Sequence, residues 1–210
     1  MQKLTSKQLC LCGLFTALIC VCAWISINIF SIPVTLQLLA IMICAALLTP
    51  GLATMSVLAY VLIGLIGLPV FAGFTGGVGK LFGITGGYII GFIPAVYVTS
   101  LMIHRCHFAK EEGTVLKLLR YVVAMAMGVL VCYAFGTVWF MIINRQTVAA
   151  HNAEIATMTD LMQQEAGGVK SAYSLGQVLG ICVLPYLPFD ALKIALAAVL
   201  SLRLEKAVKL

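Results

Sequence analysis

The chain contains 210 residues, of which 62% are hydrophobic and only 10% are charged, and its formal net charge is +6. Soluble domains carry roughly 25% charged residues, so this composition excludes an ordinary soluble domain and indicates an integral membrane protein. Little polar sequence is left over for a second, water-soluble domain.

Six apolar segments approach the length of about 20 residues that an α-helix needs to cross a bilayer. They lie at about 8–30, 36–49, 52–68, 84–103, 118–143 and 174–202. Together they occupy nearly the whole chain. We therefore predict an all-α bundle of six transmembrane helices that forms one membrane-embedded domain over residues 1–210.

The basic residues are distributed unequally between the predicted loops. If both termini lie on the same side, nine basic residues fall on that side and three on the other. Cytoplasmic loops are enriched in Lys and Arg, so we predict a multi-pass protein of the cytoplasmic membrane with its N- and C-termini in the cytoplasm. This topology explains the positive charge, and we expect contacts with membrane lipid and none with nucleic acid.

The first predicted helix carries a stripe of small side chains. Gly13 and Ala17 are four residues apart, a spacing that lets another helix approach closely. That helix could belong to the same chain or to a second protein, and the stripe alone does not distinguish the two.

After the first predicted helix, Pro33 interrupts the chain. Thr35 and Gln37 then place polar side chains at the mouth of the bundle, where either could bind a ligand.

The segment 67–88 is the densest in glycine, and it alternates glycine with aromatic residues. The element Gly-x-Thr-Gly-Gly occurs in it twice, at 73–77 and 83–87. Such a loop suits close approach of the backbone to a ligand that aromatic rings cover. We predict a Gly-rich external loop between helices 3 and 4 that acts as a lid, with a plain structured loop as the alternative.

The sequence offers poor support for a nucleotide or metal site. Lys80 follows a glycine as in a phosphate-binding loop, but Leu81 stands where Ser or Thr is required, so the chain is not expected to hydrolyse ATP by itself. His104, Cys106 and His107 are close in sequence but lie in a short basic loop, where a solvated or lipid-facing role is favoured. We expect the eight cysteines to be free thiols and predict no metal and no cofactor.

The final apolar segment contains two prolines and two charged residues. Pro185 and Pro188 each lack a backbone donor, which predicts a broken helix. Asp190 and Lys193 are three residues apart and share one helix face, although each is costly at membrane depth. Broken helices at that depth commonly line substrate sites, so we predict a ligand site here. The alternative is a structural pair whose charges neutralise each other.

Other classes of function remain open at this point. An intramembrane enzyme could use Asp190 and Lys193, with the lysine as a base or nucleophile. No Ser or Cys nucleophile with a His base stands within the predicted helices to support that reading. A structural membrane subunit that binds no ligand is a further alternative.

Four ordered motifs carry a resemblance to a known family. They are Ile32-Pro33-Val34-Thr35-Leu36-Gln37, Gly67-Leu68-Pro69-Val70-Phe71-Ala72-Gly73, Gly83-Ile84-Thr85-Gly86-Gly87-Tyr88 and Pro188-Phe189-Asp190-Ala191-Leu192-Lys193. Together they resemble the successive signatures of the BioY family, the biotin-specific substrate-binding components of energy-coupling-factor (ECF) transporters. One departure is Ile84, where the family usually has proline.

The resemblance implies a six-helix, non-enzymatic subunit that captures biotin from outside. It also implies association with a transmembrane coupling subunit and a pair of cytoplasmic ATPases, with Gly13 and Ala17 corresponding to the family's Ala-xxx-Ala docking motif. Asp190 and Lys193 are expected to hold the ureido ring. Candidates for the carboxylate end are Lys80, Thr35 and Gln37, and the further expected site residues are Phe71, Thr85, Gly86 and Tyr88.

Overall fold

The computed structural model describes residues 5–27, 32–105, 113–156 and 170–205. Within these ranges the helices are α1 (Ser6–Trp24), α2 (Gln37–Leu47), α3 (Pro50–Leu65), α4 (Gly86–Arg105), α5 (Thr114–Ile155), α6 (Leu175–Cys182) and α7 (Leu187–Leu204). A short 3-10 turn covers Val78–Lys80, and strands β1 (Ser26–Ile27) and β2 (Val34–Thr35) form an antiparallel hairpin. The predicted all-α class is confirmed, because each strand contains only two residues.

The lengths of the helices qualify the prediction of six membrane spans. In the described part of the chain, α1, α4 and α5 are long and apolar enough to cross a membrane, and α6 with α7 forms a further candidate bent by 51°. Helices α2 and α3 have 11 and 16 residues, or about 17 and 24 Å at 1.5 Å per residue, against about 30 Å of hydrocarbon. The count of six full spans therefore stays a prediction.

Two helix ends differ from the predicted segments. Helix α1 ends at Trp24 rather than near residue 30, because the chain turns there into the hairpin that pairs Ser26 with Thr35. Helix α5 continues to Ile155 rather than ending near residue 143. The first part of the polar stretch after the predicted span thus extends α5, and residues 157–169 lie outside the described residues.

Helix α2 is the centre of the bundle. All of its residues except Leu39 are buried, and it contacts α1, α3, α4 and α7. A helix that is apolar on every side suits either protein or lipid surroundings, so its contacts with four helices, and not its composition, show that it is central. Helices α1 and α3 are joined by the hydroxyl of Thr16, which donates to the carbonyl oxygen of Ser56 at 3.0 Å.

An ion pair joins the start of α5 to the end of α7. The ammonium group of Lys117 lies 2.6 Å from a carboxylate oxygen of Glu205. Both side chains are partly exposed, so the pair contributes little stability, of the order of 0–1 kcal/mol. The ion pair shows that these two helix ends lie on the same side of the bundle.

The glycine-rich loop (residues 66–85) is structured and anchored to three helices. The amide of Gly77 donates to the carbonyl of Gly64 in α3 at 2.7 Å. The indole N–H of Trp24 in α1 donates to the carbonyl of Pro69 at 2.8 Å, and that of Trp139 in α5 donates to the carbonyl of Gly83 at 3.0 Å. The loop is therefore tied to the helices at three points and is not a free connector.

Seven of the eight cysteines lie in the described ranges, and these seven are free thiols as predicted. Cys106 and His107 fall outside the described residues. Among the residues that are described, no cluster of His, Cys, Asp and Glu could hold a metal ion.

Candidate ligand-binding site

The predicted break in the final span lies between α6 and α7. Pro185 has no N–H to donate, and the amide of Tyr186 donates to the carbonyl of Val183 at 3.0 Å instead of the carbonyl of Cys182, its partner in a continuous α-helix. The freed carbonyl of Cys182 accepts a hydrogen bond from the hydroxyl of Tyr88 at 3.1 Å. A side chain of α4 thus satisfies the backbone group that the break exposes.

A second tyrosine fixes the bend to the segment before β2. The hydroxyl of Tyr186 donates to the carbonyl of Ile32 at 2.8 Å and accepts from the amide of Ile32 at 2.9 Å. This side chain therefore satisfies both backbone groups of a buried residue, as buried polar groups require. The break is consequently held in place by the loop before α2 as well as by α4.

Asp190 and Lys193 lie just beyond the break, on one face of α7. They are 5% and 8% exposed, and the ammonium group of Lys193 lies 2.8 Å from Oδ1 of Asp190. The predicted shared face is confirmed by this contact. The other carboxylate oxygen, Oδ2, accepts a hydrogen bond from the hydroxyl of Tyr133 in α5. Asp190 also occupies the first turn of α7, where the helix dipole favours a negative charge.

These three side chains open onto an inner cavity of about 80 Å³. Its remaining walls come from α2, α4, α5, the bend and the segment around β2, and they are mainly apolar: Ile32, Pro33, Val34, Thr35, Leu38, Tyr88, Phe92, Val129, Cys132, Cys182 and Tyr186. A few convergent polar groups within apolar walls are typical of a small-molecule site.

An outer cavity of about 60 Å³ lies beside the inner one. Its polar lining includes Gln37, Tyr60, Lys80 and Thr85, and Phe71 provides an aromatic wall. The amide nitrogen of Gln37 and the hydroxyl of Tyr60 are buried and interact with each other, but neither makes a hydrogen bond of good geometry within the described residues. Unpaired buried polar atoms are rare in native proteins, so this cavity offers polar atoms that a ligand can satisfy.

The two cavities are neighbouring parts of one site. They share Ile32, Pro33, Thr35, Tyr88 and Phe92. All the predicted ligand-site residues except Gly86 line one cavity or both. The buried Gly86 begins α4, where a Cβ atom would come within 1.7 Å of the carbonyl oxygen of Leu81. The absence of a side chain at Gly86 therefore lets the backbone of Leu81 in the loop pack against the start of α4. Ligand contact by Gly86 stays a prediction.

The sequence-based prediction missed several residues of the site, above all Tyr133 and Tyr60. Both lie within apolar segments, where a tyrosine is an apolar body with one polar atom that needs a partner. That signal was available in the sequence, but it did not identify which partner each hydroxyl would meet.

The ring of Tyr88 packs directly against the backbone of α5 at Gly136. A Cβ atom on Gly136 would come within 2.4 Å of the ring, so the glycine leaves the space that the ring needs.

The small-residue stripe of α1 lies outside the bundle. Gly13 and Ala17 are exposed, and a Cβ atom added to Gly13 would meet nothing within 4 Å. The packing of this stripe inside the described part of the bundle is therefore excluded. The two residues instead line an apolar groove of about 620 Å³ between α1, α3 and the glycine-rich loop, with Leu9, Cys12, Thr16, Cys20, Trp24, Met55, Ala59, Ile63 and Val70.

Known proteins of similar sequence and fold place the chain in a family. A family model described as the BioY family matches residues 1–210. The chain is 34% identical over 200 residues to a biotin transporter BioY from Thermotoga maritima, covering 95% of this chain and 96% of the relative. It is 33% identical to a probable biotin transporter BioY from Pyrococcus horikoshii, covering 95% and 97%.

A solved structure has the same fold. The S-component for biotin from an ECF-type ABC transporter matches with a TM-score of 0.71 and 24% sequence identity, covering 97% of this chain and 95% of that one. Together with the apolar helices, these relatives indicate a multi-pass membrane protein. Since the family model spans every residue and the relatives exceed 30% identity over nearly their whole length, the chain belongs to the BioY family.

Proposed function

We propose that this chain is the substrate-binding subunit that captures biotin and delivers it across the cytoplasmic membrane as part of an ECF-type transporter. The observation that carries this proposal is the buried group of Asp190, Lys193 and Tyr133 within an apolar cavity of a BioY-family chain. The ureido ring of biotin has N–H donors that suit a carboxylate and a carbonyl that suits an ammonium group. Its sulfur-containing ring and aliphatic tail suit apolar walls.

The outer cavity is the proposed site of the biotin carboxylate. Lys80 lines it, and the described residues give its ammonium group no ion pair or hydrogen bond, whereas the other cavity lysine, Lys193, is already paired with Asp190. Thr35 and Gln37 lie close enough to the same space to add hydrogen bonds. With the ureido ring in the inner cavity, the tail would run past Tyr88 and Phe92, which both cavities share.

The size of the cavities supports a lid role for the glycine-rich loop. At about 80 and 60 Å³, each is smaller than the roughly 300–1,000 Å³ of typical ligand pockets. A ligand that occupies both must widen the space between them. The loop contributes Phe71, Ala72 and Lys80 to the outer cavity, so movement of the loop would open the site without disturbing the helices.

Energy for uphill transport is proposed to come from partner subunits, because the chain has no phosphate-binding motif. The exposed groove along Gly13 and Ala17 is the proposed docking surface for a transmembrane coupling subunit that works with a pair of cytoplasmic ATPases. Small side chains let a partner helix come close enough for dispersion contacts to accumulate. The chain itself performs no catalysis and needs no cofactor in this scheme.

The proposed orientation has both termini in the cytoplasm and the glycine-rich loop outside. Its support is the distribution of basic residues together with the ion pair between Lys117 and Glu205. That pair joins the start of α5 to the end of α7 on the side that carries Arg105 and Arg203. The loop anchors at Trp24 and Trp139 belong to the later parts of α1 and α5.

Equilibrium binding of labelled biotin to the purified protein tests the proposal. We expect saturable binding of one biotin per chain, with the ligand recovered unchanged. Lipoate, which has an aliphatic carboxylate and a sulfur ring but no ureido group, should not compete at the same concentrations. The absence of saturable biotin binding would contradict the proposal, and conversion of biotin to a product would favour the enzyme alternative.

A further inference from the structure

We infer that Tyr133 is a positioning residue, which holds the carboxylate of Asp190 so that a free lone pair faces one N–H group of a cyclic urea. The inference rests on the proposed function and assigns a role to a residue in a different helix from the charged pair. Tyr133 is 8% exposed and lines the inner cavity together with Asp190 and Lys193.

The geometry shows why a second anchor matters. Lys193 contacts Oδ1 of Asp190 at 2.8 Å, but it stands on the same helix, and one contact leaves the carboxylate free to rotate about its side-chain bonds. Tyr133 reaches Oδ2 from α5. With one oxygen held from α7 and the other from α5, the plane of the carboxylate is fixed relative to both helices.

Counting donors and acceptors shows what remains for a ligand. An ionised carboxylate has about four lone-pair positions, and the protein uses one on each oxygen. One further position on each oxygen is left, and one of them suffices for a cyclic urea, because the two N–H groups flank the carbonyl and point apart, so that a single carboxylate meets only one of them. Lys193 has three donors, so it can bond to Asp190 and still reach a urea carbonyl.

The same count limits what Tyr133 does toward the ligand. A tyrosine hydroxyl has one proton, and Tyr133 directs it to Asp190. That proton is therefore not available to a urea carbonyl, and we assign the contribution of the hydroxyl to the orientation of Asp190. The ring belongs to the apolar wall, so the hydroxyl and the ring have separable effects: Tyr133→Phe removes the first and keeps the second.

Tyr133→Phe is expected to weaken biotin binding about 10- to 100-fold, the size of effect associated with hydrogen bonds to charged groups. In an Asp190→Asn background the same change should cost less than about 2-fold, because residues that act through one network are not additive. Tyr97→Phe is the matched control, since Tyr97 is an exposed tyrosine of α4 and should leave the affinity unchanged.

A second ligand separates alignment from general packing. A biotin analogue with methylated ureido nitrogens has no N–H to donate a hydrogen bond to Asp190, so Tyr133→Phe should reduce biotin affinity much more than analogue affinity. The ratio of the two affinities, measured on one sample, does not depend on the fraction of protein that is folded. If Tyr133→Phe cannot be purified, Tyr133→Met also lacks the hydroxyl and gives the same ratio test.

The outcomes distinguish this inference from the proposed function. Failure of the unmodified protein to bind biotin would overturn the proposed function. Normal biotin binding by the unmodified protein with an equal affinity in Tyr133→Phe would overturn the positioning role alone. An equal loss in the Asp190→Asn background, or an equal loss for both ligands, would also overturn it and would assign Tyr133 to packing or direct contact.

Discussion

At the scale of single residues, the buried pair of Asp190 and Lys193 is difficult to explain by stability alone. Removing two charges from water costs about as much as their attraction returns, so buried pairs are often no more stabilising than apolar residues of the same size. Here both residues are less than 10% exposed, and they border a cavity. Binding of a ligand through their remaining donor and acceptor positions would explain why this buried pair is present.

Removing either charge should therefore damage ligand binding. We expect Asp190→Asn to weaken biotin binding by about 10- to 150-fold, the range for a lost hydrogen bond to a charged group. Lys193→Met should be at least as damaging, because it also leaves the Asp190 charge unpaired. Equilibrium binding to detergent-solubilised protein measures both.

The matched control for this pair is Glu205→Gln. It breaks the ion pair with Lys117, which lies outside both cavities and is partly exposed, and it should change the affinity less than about 2-fold. Folded Asp190→Asn and Lys193→Met proteins that bind biotin normally would leave only the structural-pair interpretation.

Lys80 should determine selectivity for a free carboxylate. We expect Lys80→Met to weaken biotin binding several-fold while leaving a neutral biotin amide almost unaffected, since the amide carries no charge for the ammonium group to attract. Competition assays with the two ligands measure the difference. An equal loss for both ligands would assign Lys80 to the packing of the loop instead of recognition of the carboxylate.

At the scale of elements, the glycine-rich loop is secured by an aromatic contact at its outer surface. The rings of Trp24 and Phe74 stack with centroids 5.2 Å apart. Phe74 has a φ of 56°, a left-handed backbone conformation that is uncommon for a residue other than glycine. The loop thus keeps an exposed ring in an unfavourable backbone conformation, which the stacking contact and the nearby hydrogen bond of Trp24 to Pro69 help to maintain.

Loss of this contact should loosen the lid. Aromatic pairs contribute about 0.5–1.5 kcal/mol, so we expect Phe74→Ala to raise the rate of biotin dissociation about 2- to 10-fold, measured by chase with unlabelled biotin. Phe82→Ala is the control, because Phe82 is an equally exposed ring of the same loop without a recorded aromatic partner among the described residues. Identical rates in all three proteins would favour the plain structured loop.

We expect a different result for the groove on α1, because none of the residues that line it lines either cavity. Ala17→Leu should leave biotin binding in detergent nearly intact but abolish co-purification with the coupling subunit and ATP-dependent uptake, since a bulky side chain holds helices apart. Cys10→Leu adds bulk to an exposed position of α1 that does not line the groove, and it should preserve both. Co-purification of Ala17→Leu at the normal level would contradict the docking proposal.

At the scale of the whole molecule, the charge asymmetry predicts the orientation in the membrane. A cysteine introduced as Glu154→Cys near the end of α5 should react with an impermeant thiol reagent in intact cells. Lys117→Cys, near the start of the same helix, should react only after the membrane is opened. Peptide mapping distinguishes these sites from the native cysteines. The reverse pattern would contradict termini that face the cytoplasm.

The sequence by itself determined the features that depend on composition or on neighbours along the chain. A hydrophobic fraction of 62% requires a membrane environment, and proline breaks a helix wherever it removes a donor. The contact between Asp190 and Lys193 follows from helical periodicity, because residues three apart share a face. The sequence was enough to identify the family and to name eight of the 21 residues that line the two cavities.

Only the tertiary structure decided which distant residues complete the site. Tyr133 meets Asp190 across 57 positions of sequence, Tyr88 meets Cys182 across 94 and Tyr186 meets Ile32 across 154. Periodicity indicates which face of a helix is apolar, but it does not fix the rotation, depth and crossing angle at which two helices pack. For the same reason, the sequence left open whether Gly13 and Ala17 are covered by their own bundle, and the packing of α1 against α2 and α3 leaves them exposed.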